Sequence, residues 1–92
     1  MAYMFVRHNV QDYGAWMSVF DSKRDLRTRY GEQSYQILHQ GNGSNEVVAL
    51  FGWDNLENAR KYAASTELKE AMQNAGVIGK PEILFLEEAA RG

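Results

Sequence analysis

The chain has 92 residues, with 45% hydrophobic and 24% charged side chains, a net charge of −2 and no cysteine. This is ordinary globular usage, which excludes a disordered or fibrous chain, and it lacks the basic footprint that nucleic-acid binding requires. Without cysteine there are no disulfides, thiolate nucleophiles, iron–sulfur clusters or thiolate zinc sites, and the length predicts a single domain, residues 1–92, with a small core.

The N-terminal MAYMFVRH shows no basic segment followed by a long apolar one, and no apolar run approaches the roughly 18 residues of a membrane span. A soluble, cytoplasmic protein with no membrane partner is the expectation. Residues 3–9, YMFVRHN, read as a strand with Met4, Val6 and His8 on one face and Tyr3, Phe5 and Arg7 on the other. Asp12 is a plausible N-cap for one helix from about 12 to 30, because Tyr13, Trp16, Met17 and Phe20 recur at helical spacing and Gly31 ends the segment. The run DSKRDLRTR within it reads as a mostly solvated face of mixed charge, the lesser alternative being that Arg24 and Arg27 meet an anionic substrate at a cavity mouth.

QSYQILHQ, residues 33–40, alternates Tyr35, Ile37 and His39 against Gln36, Leu38 and Gln40. The turn signal GNGSN and the strand EVVALFGW follow, so 33–53 read as a hairpin. Asp54 and Glu57 form a capping-box pattern before LENARKYAAS, and Ser65 or Thr66 caps ELKEAMQNAG, which Gly76 stops. Pro81 then precedes a last strand, EILFLEE.

The order β-α-β-β-α(α)-β is the split β-α-β pattern of α+β, ferredoxin-like folds, a four-stranded antiparallel sheet covered by helices on one face. Both faces of three strands are apolar, yet one helical layer covers only one. The expectation is therefore a homodimer whose bare sheet faces pack together, an α+β barrel with the helices outside.

The runs VRHNVQDYGAWMSVFD, EVVALFGWDNLENARKYAAS and STELKEAMQNAGVIGKPEILFLEE span nearly the whole chain. Together they resemble the dimeric α+β barrel superfamily, and within it the antibiotic-biosynthesis-monooxygenase-like small proteins. That resemblance implies the fold and the dimer, and it opens several activities: cofactor-independent monooxygenases of aromatic substrates, isomerases, and haem-degrading enzymes whose signature is an Asn, a Trp and a His. Asn9, Trp16 and His39 or His8 are the residues of those types here.

In a ferredoxin-like sheet His8 and His39 share one end but stand two strands apart, roughly 10 Å, too far to hold one metal. No metal and no cofactor are expected. Histidine suits proton abstraction from a phenol or enol, so His8 or His39 is the candidate base, with Tyr13, Trp16 and Phe20 as walls for a small aromatic or apolar substrate between the first helix and the sheet. Each feature has a structural alternative: an inert strand-end histidine bonded to backbone, and an aromatic stripe that is simply core. The function expected is a cofactor-independent monooxygenase or isomerase. The alternatives are a non-catalytic metabolite-binding or structural dimer and, third, haem binding.

Overall fold

The computed structural model describes residues 2–39 and 45–92. Its elements are β1 (Ala2–Val10), α1 (Tyr13–Ser22), α2 (Arg24–Tyr30), β2 (Glu32–His39), β3 (Glu46–Trp53), α3 (Leu56–Ala63), α4 (Thr66–Asn74) and β4 (Val77–Glu87). The strands form one antiparallel sheet in the order β2-β3-β1-β4, the α+β ferredoxin-like arrangement. The GNGSN turn lies, except for Asn45, outside the described residues, as does Gln40.

Strand alternation decides what each face carries. Met4, Val6, His8 and Val10 of β1 and Val47, Ala49, Phe51 and Trp53 of β3 are buried under the helices, joined by Trp16, Phe20, Ala59, Tyr62, Ala71 and Ala75 from above. The opposite face presents Tyr3 and Phe5 of β1 beside Leu50 of β3 and Leu84 and Leu86 of β4, with Val48 beside Leu38 of β2. Leu38, Leu84 and Leu86 are 46%, 46% and 40% exposed. The Arg7–Glu82 ion pair, at 3.0 Å, crosses this otherwise apolar surface.

The single helix expected over 12–30 is two. Ser22 Oγ donates to the carbonyl of Val19 at 2.6 Å, and the N–H of Lys23, which would bond that carbonyl in a continuous helix, instead donates to Phe20 O at 3.2 Å. A hydroxyl competing for the backbone acceptor ends α1 here. Asp12 caps α1 as expected, accepting from the N–H of Gly14 and Ala15. Gly31 closes α2 at φ 121.

The cap of α3 is Asn55 rather than Asp54: Asn55 Oδ1 accepts from Asn58 N–H at 2.8 Å, while Asp54 accepts from Asn55 N–H and from the Asn58 side chain. Ser65, not Thr66, caps α4, accepting from Leu68 N–H at 3.1 Å. β4 begins at Val77, so Pro81 lies inside a strand; it is tolerated because β4 is an edge and its register against β1 slips between Arg7 and Asn9. Gly79, at φ 72, belongs to that irregularity.

Candidate active site

The core leaves a cavity between α1 and α4 above β1 and β3, with Arg27 of α2 in its wall. Its lining is mostly apolar, including Met4, Val6, Ala49 and Phe51 from the sheet, Trp16, Val19 and Phe20 from α1, and Leu68, Ala71 and Met72 from α4. The polar exceptions are His8, Lys23, Arg27 and Tyr62. The cavity is small, about 50 Å³, with room for a few waters.

His8 stands on β1 opposite Val47 of β3, and on its other side the β4 ladder slips. Bulges of this kind concentrate beside functional sites because they re-aim side chains. The imidazole turns toward the helices: its ring meets Trp16 at 5.7 Å and 61°. It is 6% exposed, and neither ring nitrogen has a hydrogen-bond partner among the described residues. Burial pushes its pKa below the usual 6.5, so the ring is neutral near pH 7.

Above His8 runs an aromatic ladder. Trp16 stacks on Phe20 at 5.1 Å and on Tyr13 at 6.2 Å, and Phe20 meets Tyr35 edge-on at 5.1 Å. Trp16 and Phe20 therefore line the cavity. Tyr13 does not: it is 39% exposed and packs outside Trp16, against His39 at 5.3 Å. His39 faces Val47 from the side opposite His8. The two histidines share a face and a rung of the sheet, but His39 lies outside the cavity wall.

Arg27, which the sequence places first on a solvated face and only secondarily at a cavity mouth, lies in the cavity wall. Far from being solvated, it is 2% exposed, with its guanidinium carbon 3.7 Å from the centre of the Phe20 ring. Nε donates to Glu32 and Nη1 donates to the carbonyl of Phe20 at 2.7 Å, whereas Nη2 has no partner among the described residues. Glu32 reaches it through a register slip in β2 between Glu32 and Ser34, which sets Glu32 opposite Trp53 on the helical side. Burial raises the Glu32 pKa, against the lowering effect of Arg27. A signal did exist: residues 16, 20, 23 and 27 lie on one stripe of a 3.6-residue helix, and all four line the cavity.

Tyr62, beside the same cavity, has its hydroxyl pKa pushed up to about 12 by burial, so it remains a phenol. Asn9 projects from the opposite face of the sheet, next to Glu46 and Ile78, so Asn9, Trp16 and a histidine do not converge within this chain. Among the described residues no three His, Asp or Glu side chains group closely enough to hold a metal, and no helix is long and apolar enough to cross a membrane.

No protein-family model matches the sequence, and no curated protein matches it. Solved structures do match over almost the whole length. SnoaB, a cofactor-independent oxygenase from Streptomyces nogalater, aligns at TM-score 0.79 and 16% identity, covering 98% of this chain and 94% of its own. A proposed antibiotic biosynthesis monooxygenase from Bordetella bronchiseptica aligns at TM-score 0.80 and 12% identity, covering 97% of each chain. A protein of unknown function from Nitrosomonas europaea aligns at 0.74 and 17%, covering 99% and 91%. The fold is thus that of antibiotic-biosynthesis-monooxygenase-like proteins, and at these identities the likeness concerns the fold alone.

Proposed function

We propose that this chain is one half of a homodimeric enzyme that binds a small aromatic molecule in the helix-side cavity and removes a proton from it at His8. One observation carries the reading: a neutral imidazole, buried against Trp16, with two nitrogens that bond to nothing among the described residues. Each unsatisfied buried group costs about 1–3 kcal/mol, which a ligand hydroxyl or acidic C–H group placed there offsets. With one ring nitrogen free to accept, His8 takes the proton and the aromatic system keeps the electron pair as a carbanion. In the monooxygenase form of the reading, a methylene carbon so activated reacts with dioxygen; one oxygen stays as a carbonyl and the other leaves as water. The likeness to an oxygenase described as cofactor-independent supports this choice of chemistry.

An aromatic ring needs more room than the cavity offers, so binding requires α1 and α4 to part. Met72 and Leu68, half-buried on α4, form the deformable wall, and methionine adapts its shape at little cost. The narrowness also favours a second reading, a non-catalytic module in which His8 and Trp16 are packing alone.

The dimer rests on the bare sheet face. Leu38, Leu84 and Leu86 are 46%, 46% and 40% exposed, and removing that remaining apolar surface from water contributes about 1 kcal/mol each, with smaller gains at the half-buried Phe5 and Leu50. Two such faces stacked about a two-fold axis leave both helical cavities outward and separate.

Proton abstraction is tested without knowing the substrate. Phenylacetone, an aromatic carbon acid, is incubated anaerobically in D₂O with the protein, and deuterium entry at its benzylic carbon is followed by NMR. The wild type accelerates exchange and folded His8→Gln does not. Equal rates for the two proteins decide for the non-catalytic module.

A further inference from the structure

Helix α4 stands between two spaces of very different size. One is the cavity of about 50 Å³ above β1 and β3; the other is a groove of about 390 Å³ between α4 and the edge strand β4. Among the described residues only Leu68 and Met72 line both. They are four apart on α4 and so lie on one side of it, half-buried, while Ala71 and the cap Ala75 make its buried contacts.

The groove has a cause in the sheet. Between the pairs Arg7–Glu82 and Asn9–Ile78, β1 advances two residues and β4 four, so residues 79–81 drop out of the regular ladder. Gly79 in that stretch has no side chain, and nothing lies within 4 Å of where its Cβ would be. What remains of the groove wall on β4 is apolar: Val77, Pro81 and Ile83. Leu68 and Met72 thus have an apolar surface on either hand, Trp16, Val19 and Phe20 on the cavity side and the β4 residues on the other. Passing from one to the other exchanges like contacts, and methionine with its three rotatable bonds does so at little cost.

We propose that Leu68 and Met72 form a two-position gate, closing the cavity when they fill it and opening it to a ring-sized molecule by turning into the groove beside β4. This deepens the ligand-binding reading and rests on it, for it names the space that lets so narrow a cavity be entered. The open arrangement is a minor state that a ligand makes the major one. A bulky group placed in the groove holds the gate shut from a site the ligand never touches.

The probe is fluorobenzene, an apolar ring, added to protein carrying ¹³C-labelled methyl groups. In the wild type its protons show nuclear Overhauser contacts with the Trp16 indole, and in the same sample the methyls of Leu68 and Met72 gain contacts with Val77 and Ile83. Ile83 lines the groove and not the cavity, so it tests the coupling from outside. Folded Ile83→Trp binds fluorobenzene about tenfold more weakly by ¹⁹F titration, because the displaced side chains then overpack the groove. Ile83→Ala, which widens the groove, binds at least as tightly as the wild type. A ring seated against Trp16 with the Leu68 and Met72 contacts unchanged overturns the gate and leaves the cavity a binding site, and this result needs no variant to fold. A ring seated against Pro81 and Ile83 overturns it too, since the groove is then itself the site. So does equal weakening by both variants, or none in folded Ile83→Trp. Failure of the wild type to bind fluorobenzene at all removes the aromatic-binding reading and the gate together.

Discussion

His8 and Trp16 meet edge to face, ring centroids 5.7 Å apart, in a pocket where the imidazole finds no hydrogen bond among the described residues. The indole shields the ring from water and offers it no acceptor. The fold therefore holds His8 neutral, which is the form a general base needs. Trp16 reaches this position because α1 leaves β1 through a short connection capped by Asp12, which lays the first helical turns back over the strand that carries His8.

This relationship sets the dependence of stability on pH. The His8 pKa is lowered by burial in the folded state, so below its unfolded value of about 6.5 the unfolded chain takes up a proton that the fold resists. Stability is full above that pH and falls as the pH drops through it toward the folded value. His8→Phe removes this contribution. Urea midpoints measured at about pH 7.5 and about pH 5.5 should differ more for the wild type than for the variant; a larger loss in the variant contradicts the assignment.

The Arg27–Glu32 pair is buried at both ends, so its halves are not separable. Glu32→Leu leaves a guanidinium uncompensated and should cost about 3–5 kcal/mol, as should Arg27→Met alone. The double variant Arg27→Met with Glu32→Leu should lose far less than the two singles combined, because apolar replacement of a buried pair is nearly neutral. A double-mutant cycle by urea denaturation reads the coupling; additive losses show that the two charges do not depend on one another.

The open sheet face makes its own prediction. Static light scattering at micromolar concentration should give twice the 10.5 kDa chain mass. Leu84→Lys or Leu50→Lys, each placing a charge beside Phe5 in the middle of that face, should yield a monomer. A wild-type monomer under the same conditions rules out the dimer.

Two glycines with positive φ should respond unequally to alanine. Gly31, at φ 121, faces the Asp54 carboxylate so closely that an added Cβ collides with it, whereas Gly79, at φ 72, has open space where a Cβ would go. Gly79→Ala carries only the backbone strain, about 1 kcal/mol, while Gly31→Ala should cost two to three times as much, roughly 2–3 kcal/mol, and disturb the Asp54–Asn58 contacts. Thermal unfolding of the two variants checks the order.

Much of this architecture is local and so was legible in the residues. Strand alternation placed Met4, Val6 and His8 on one face, helical spacing placed Trp16 and Phe20 together, and the caps at Asp12 and Ser65 marked helix starts, all because these depend on neighbours a few residues away. The same alternation, applied through β2, sets Glu32 on the outer face with Gln36 and Leu38. A slip in register against β3 reverses it, and no periodicity in a single strand reveals a slip that only its partner defines.

Sequence alone determined the order of strands and helical segments, though not the break of the first helix at Ser22, and also the two-sided apolar sheet and the aromatic stripe, since hydrophobic period and capping chemistry act at short range. Tertiary structure alone decided that His8 and not His39 reaches the cavity, that Tyr13 lies outside it, and that Arg27 enters it with one nitrogen unspent. Those outcomes depend on which long-range neighbour desolvates each polar group. Burial of a charge is set by the partner that compensates it, here a glutamate brought inward by a strand it does not belong to.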